Sequence, residues 1–377
     1  MSIHNRAIVN VMDALAVSNS LVEQSKCCIG FDGFIDHIYR VVKQRTDLED
    51  CIFYERIGEF GERISASSGK SSDTEIVLMG TRFGGNGPNL AASMASLGFP
   101  TTCIGFLGET SPIYPFDSLE EICNCVSIGK PAITHAFEFN DGKLMFGCMN
   151  GDGALTWIDI LMRVGLKNIA TIMQDSRLIA IVNWSYLYNC SAIVRGTMDD
   201  ILGKLQPDML REKILFFDFA DVSMRSRVDI KEMLDTLASV SEYTHTVLGL
   251  NENEAKTLCQ TLGLSSDGDL REIVVQLGSQ MKVDTLTIHS IRNTVCIRNG
   301  EVVETPSFYV DAPFISTGGG DNYNGGFCLG LLLGLSTEEC LILGSATASY
   351  YITNGRNCTK PELIDFLQKQ LSKEIEP

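Results

Sequence analysis

An α/β fold built on a largely parallel sheet is what this 377-residue chain predicts. Short apolar runs alternate with helix-like stretches over most of its length, and that rhythm is the mark of βαβ units with helices on both sheet faces. The last hundred residues turn wholly helical, and two polar stretches, 37–80 and 131–150, interrupt the alternation.

Strands are predicted at 27–31, 102–107, 178–182, 214–219, 245–250 and 285–289. Helices are predicted at 89–97, 197–205, 230–240, 252–262 and 270–279, with terminal helices near 322–334, 337–352 and 361–372. Within 37–80, Glu75-Ile-Val-Leu-Met79 is strand-like. Residues 132–139 and 143–149 flank Asn140-Asp141-Gly142, a hairpin turn signal. These two segments are expected to form a small accessory sheet that lids the site, or else an ordinary surface excursion. The division expected is 1–36, 81–130 and 151–377 as the main α/β domain, with 37–80 and 131–150 as the β lid.

Thirty basic against 47 acidic residues leave a net charge of −17. Nucleic acid and anionic membrane surfaces are poor partners for such a chain. Its longest apolar run, near 327–335, is too short to span a bilayer. The first residues, Met1-Ser-Ile-His-Asn-Arg6, lack the basic patch and apolar core of a signal peptide. Thirteen cysteines, several inside apolar runs, suit buried thiols in a reducing compartment. A cytoplasmic location is therefore expected.

Thr317-Gly-Gly-Gly-Asp321 leads into the apolar stretch 327–335. Three glycines let backbone amides approach an anion, and the helix that follows points its positive end at the same place. Asp321 at that junction could take a proton from an alcohol. A glycine turn with an N-capping Asp has the same appearance.

Phe83-Gly-Gly-Asn-Gly-Pro-Asn89 also opens a helix, one rich in small residues. Asn86 and Asn89 supply neutral donors and acceptors suited to sugar hydroxyls, and the spacing is not that of a dinucleotide fingerprint. Gly30-Phe-Asp-Gly-Phe-Ile-Asp36 places Asp32 and Asp36 at the carboxyl end of the first strand, the usual ligand crevice. Asp36 is preferred as a ligand there, and Asp32 is equally a turn or cap residue. Asn251 and Glu254 share the first turn of a helix, where they could organise magnesium through water; a capping box has the same shape. Ser68-Gly-Lys-Ser71 is not a P-loop, because position 64 is Ile64. The five histidines show no metal-ligand spacing.

Asp36, the Gly84–Asn89 loop, Asn251-x-x-Glu254 and Thr317–Asp321, in this order, resemble the ribokinase-like (PfkB-type) carbohydrate kinases over roughly residues 26–356. That resemblance implies a mostly parallel sheet flanked by helices on both faces, a small β-sheet lid, and ATP-dependent phosphorylation of a sugar-like hydroxyl. It implies Asp321 as base and the amides of Gly318, Gly319 and Gly320 as anion hole. Asp36, Gly84, Gly85, Asn86 and Asn89 would hold the sugar. Asn251 and Glu254 would organise Mg2+ and phosphate, and a homodimer through the lid is expected. The family's usual Gly-Ala-Gly-Asp has Gly319 in place of alanine here, and Ile315 stands where many members carry the Asp of a monovalent-cation site. The nucleotide-side strand ends Thr287-Ile-His289-Ser instead of Thr-x-Gly, which leaves Thr287, His289 and Asn354 as nucleotide-contact candidates. A nucleoside kinase and a sugar-binding regulator without turnover are the alternative readings.

Overall fold

The computed structural model describes residues 3–48, 50–148, 152–315 and 317–375. Within the expected main domain, Met1, Ser2, Gly151, Ser316, Glu376 and Pro377 fall outside them; within the expected lid, Glu49, Met149 and Asn150 do. The strands are β1 (Lys26–Gly30), β2 (Phe34–Arg45), β3 (Cys51–Phe53), β4 (Ile76–Gly84), β5 (Thr101–Gly105), β6 (Asn124–Ser127) and β7 (Ala132–Phe139). They continue with β8 (Gly142–Cys148), β9 (Ser176–Ile181), β10 (Ile214–Asp218), β11 (His245–Asn251), β12 (Thr285–His289), β13 (Asn293–Arg298) and β14 (Glu301–Pro306).

Nine of them form one sheet in the order β14-β13-β12-β11-β10-β9-β1-β5-β6. All neighbours from β6 to β12 run parallel, and the β12–β13–β14 end is antiparallel. Because side chains alternate across a strand, each central strand feeds two cores. Cys28, Ile179, Ile181, Leu215, Phe217 and Leu248 face one core. Cys27, Ile29, Leu178, Ala180, Phe216 and Val247 face the other. Burying a side chain of this size contributes about 1.5–3 kcal/mol, and Phe216→Ala would cost about 3–5 kcal/mol once the cavity is counted.

Helices Trp157–Val164, Leu166–Asp175, Cys190–Asp200, Arg227–Ser241, Glu252–Leu262 and Leu270–Gln280 cover the first face. Helices Ile3–Val17, Asn86–Ser96, Gly319–Leu332, Thr337–Asn354 and Lys360–Ile375 cover the second. No helix among the described residues is long and apolar enough to cross a membrane.

The helix expected at 197–205 instead spans Cys190–Asp200 and ends in a short 3-10 turn, Leu202–Lys204. Cys, Ser and Gly in its first two turns mask its start from a propensity reading. β6, β13 and β14, at the two ends of the sheet, were not expected; their half-exposed, mixed composition lacks the apolar run of a central strand.

β2, β3, β4, β7 and β8 make a separate small sheet. β2 leaves the carboxyl end of β1 and pairs antiparallel with β4 and parallel with β7. Asp36 is therefore the third residue of β2, not the end of β1 as its sequence position suggested. The three-residue connection Phe31–Gly33 is what carries it there.

Candidate functional site

A crevice lies where the carboxyl ends of β1, β9, β10 and β11 meet two helix N-termini, those of Asn86–Ser96 and Gly319–Leu332. Asp32 ties the first of these in place. Its carboxylate accepts from Asn86 N and Gly87 N, both at 2.8 Å, and from Asn183 Nδ2 at 2.6 Å. A carboxylate at a helix N-terminus is favoured by the helix dipole. Burial nonetheless pushes Asp32 up to about 6 against these bonds.

Anchored this way, Asn86 reaches across the crevice. Its Nδ2 donates to Asp321 Oδ1 at 3.0 Å and lies 3.5 Å from Asp218 Oδ1. Residues 235 positions apart in the chain thus share one hydrogen bond. Asp218, at the end of β10, also accepts from Ala220 N and Asn324 Nδ2, each at 2.8 Å. Burial raises the Asp321 carboxyl well above the usual range; the charges of Asp218 and Asp32 raise it further, and Asn89 and Asn86 oppose. Burial likewise lifts Asp218 to about 6 and Glu254 well up, the latter helped by Asp218. Three buried carboxyl groups thus face one another, each held above the usual range.

Gly318 opens the Gly319–Leu332 helix with φ +85°, a left-handed conformation that glycine adopts without strain. The first N–H groups of the helix it opens have no intrahelical acceptor. Asp321 sits in that first turn, buried.

A cavity of about 190 Å³ reaches Asp321 from one side, lined among others by Asp36, Asn86, Asn89, Thr134, Asn183 and Thr317, with Gly85 at its wall. Gly84 makes room for Asp36: a Cβ there would stand 2.3 Å from Asp36 Oδ2. Asp36 is raised by burial, and Thr134, Lys143 and Arg82 oppose that rise. Lys143, on β8, donates from Nζ to Thr317 Oγ1 and so joins the small sheet to the glycine run. Burial lowers its hold on a proton, while Asp36 and Glu138 strengthen it.

A second cavity, about 530 Å³ and mostly apolar, reaches the same helix N-terminus from the other side. Asn251, His289, Ile315, Gly319, Tyr323 and Ile352 line it. Asn251 and Glu254 form a reciprocal capping box: Glu254 N donates to Asn251 Oδ1 and Asn251 N to Glu254 Oε2, both at 2.9 Å. Thr287 does not reach this cavity. It is fully buried, its hydroxyl 2.7 Å from Tyr323 Oη. Asn354 lines instead a groove of about 860 Å³ against the C-terminal helix, and its Nδ2 donates to Tyr350 O.

The structure therefore brings Asp36, Gly84, Gly85, Asn86, Asn89, Gly318, Gly319, Gly320 and Asp321 to one crevice, with Asn251, Glu254 and His289 at its far side. Asp218, Asn183, Arg82 and Lys143 were not expected. Asp218 had a visible signal, a carboxylate ending a parallel strand. Lys143 and Arg82 had none, because their place depends on how the small sheet folds over the crevice.

This architecture is shared. An adenosine kinase of Sinorhizobium meliloti superposes with a TM-score of 0.63 at 18% identity, covering 92% of this chain and 99% of that one. A fructokinase of Xylella fastidiosa, solved with bound ATP, gives 0.63 at 14% identity with the same coverage. At these identities the likeness shows the fold. In sequence, a ketohexokinase of Haloferax volcanii is 28% identical over 358 residues, 92% of this chain and 91% of that protein. The prokaryotic ketohexokinase family model matches residues 6–370, which takes in every element that builds the crevice. The chain accordingly belongs to the prokaryotic ketohexokinase family and is a carbohydrate kinase, a phosphotransferase with an alcohol group as acceptor.

Proposed function

We propose that the protein transfers a phosphoryl group from ATP to a hydroxyl of a ketohexose-like sugar, with Asp321 as base and the amides of Gly318, Gly319 and Gly320 as anion hole. The observation that carries this reading is the position of one helix N-terminus between two cavities. Asp321 faces the smaller and Gly319 the larger. The sugar lies in the smaller, held by Asp36, Asn86 and Asn89 around Gly84 and Gly85. A space of about 190 Å³ is below the ~300 Å³ at which pockets for drug-sized ligands begin, which favours a monosaccharide over a nucleoside. The sequence relative agrees in kind, being named a ketohexokinase.

Asp321 takes the proton of the attacking hydroxyl. Its raised pKa brings it nearer the working pH and makes it a stronger base once ionised. Backbone N–H groups already aimed at the transferring oxygens need no reorganisation as charge develops there. Lys143 brings a positive charge from the small sheet to Thr317, and closure of that sheet as a lid excludes water that would otherwise accept the phosphoryl group.

Magnesium fits the far side of the crevice. Asp218 and Glu254 each resist ionisation there, and a divalent cation would relieve that. Among the described residues no three His, Cys, Asp or Glu side chains are spaced to hold a metal directly, so Asn251 and Glu254 would do so through water. When bound, the ion supplies charge neutralisation to the phosphates. A ribokinase II of Escherichia coli has been solved with ATP and Mg2+.

A second copy of the chain would pack on the outer face of the lid, where His37, His135 and Phe146 are cross-strand neighbours and Phe146 is 55% exposed. The functional test is a coupled ADP-release screen over ketohexoses, other sugars, phosphosugars and nucleosides. A ketohexose should give the highest kcat/KM. ADP release that no acceptor raises above a no-sugar control would overturn the kinase reading, and a nucleoside as best acceptor would overturn the sugar assignment.

A further inference from the structure

His289 ends β12 and lines the larger cavity beside Asn251 and Gly319. Its ring stacks on Tyr323, with centroids 4.6 Å apart and planes at 29°. Tyr323 is itself pinned through its hydroxyl to Thr287, so the imidazole is held in one orientation. The Nε2 stands 3.1 Å from the point that a Cβ on Gly320 would occupy, so the ring fills the space beside the first turn of the Gly319–Leu332 helix. The Nδ1 is sealed from solvent and has no hydrogen-bond partner.

These facts decide the tautomer. An imidazolium would leave Nδ1–H buried without an acceptor, and the adjacent helix N-terminus disfavours a cation, so the ring is taken as neutral. A neutral imidazole carries one N–H. On Nδ1 that proton would be a buried donor with no acceptor. On Nε2 it leaves Nδ1 as a buried lone pair, and orphaned acceptors are better tolerated than orphaned donors. The proton therefore sits on Nε2, beside Gly320.

We propose that His289 Nε2–H is a donor beside the anion hole, one that hydrogen-bonds a phosphoryl oxygen common to nucleoside di- and triphosphates. The proposal rests on the reading that the nucleotide occupies this cavity, and it extends that reading to a side chain. The stack on Tyr323 fixes the donor before the nucleotide arrives, so little ordering cost falls on binding. A ring that merely fills space would be replaceable by phenylalanine.

The test is the long-range 1H–15N spectrum of the full-length protein labelled at its five histidines, with His289 assigned by comparison with His289→Gln. The unliganded protein should show the Nε2–H tautomer, and ADP should shift that resonance where adenosine leaves it in place. An Nδ1–H tautomer, or ADP binding that leaves His289 unmoved, overturns the proposal alone. Failure of the unaltered protein to bind ADP by calorimetry overturns the nucleotide reading and the proposal with it. In kinetics, His289→Phe should raise KM for ATP on the order of 10-fold to 100-fold, as for loss of a hydrogen bond to a charged group, with sugar KM little changed. His289→Gln, which keeps a donor, should recover part of that loss. A Phe variant with unaltered ATP KM overturns the proposal.

Discussion

Asp218→Asn should move the acid limb of the rate profile to lower pH. Asp218 and Asp321 face the same Asn86 Nδ2, at 3.5 and 3.0 Å, so their oxygens stand no more than about 6.5 Å apart. Two unit charges at that distance repel by roughly 2.5 kcal/mol at an effective dielectric of about 20, equivalent to nearly two pH units. The sign follows from which form of Asp321 works. The base must be ionised, and the Asp218 charge makes ionisation harder, so removing it lets Asp321 lose its proton at lower pH. The assay is the initial rate with both substrates well below saturation, which reports the free enzyme, measured from about pH 4.5 to 9. The variant's acid limb should lie about 1–2 units below that of the unaltered enzyme, whatever the height of its plateau. An acid limb that does not move, in a variant with normal circular dichroism and melting, would refute the coupling and the placement of Asp321 as the titrating base.

Four further outcomes test the rest of the crevice. Asp321→Asn should keep sugar and nucleotide binding by calorimetry and lose about 10²-fold or more in kcat; near-normal turnover removes it from the mechanism. Gly84→Ala places a methyl 2.3 Å from Asp36 Oδ2 and should raise sugar KM about 10-fold with ATP KM little changed. Lys143→Met removes the charge beside Thr317 and should lower kcat on the order of 10-fold to 100-fold, more than it raises sugar KM; a kcat within twofold would leave Lys143 a structural tie only. Buried Ile315 supplies no side-chain ligand to a monovalent cation, so exchanging potassium for tetramethylammonium should leave the rate within about twofold.

Local chemistry accounts for what was legible. The alternation of strands and helices could be read because each central parallel strand, covered on both faces, must be an apolar run, and several helices open on side-chain caps, as at Ser226, Asn251 and Ser336. Asn251 and Glu254 illustrate the reach and the ambiguity of such signals. Their spacing marked a helix start at its true residue, and the same spacing could not separate a metal-organising pair from a cap. In the structure both side chains are engaged in the capping box, and Glu254 also faces Asp218. The helix start at Cys190 was obscured because small residues of weak propensity carry little periodic signal.

From the sequence by itself came the α/β class, the glycine-opened helices, and the identity of the groups that could bind a sugar and take its proton, because glycine conformation and side-chain chemistry are properties of single residues. The tertiary structure alone decided which of them act together. It set Asn86 against Asp321 across 235 positions, brought Asp218 beside them, carried Lys143 from the small sheet to Thr317, and left Thr287 and Asn354 away from the larger of the two cavities at Gly319. The physical reason is that a hydrogen bond or a charge acts over a few ångströms of space, and distance along the chain carries no record of that separation until the sheet and its helices have packed.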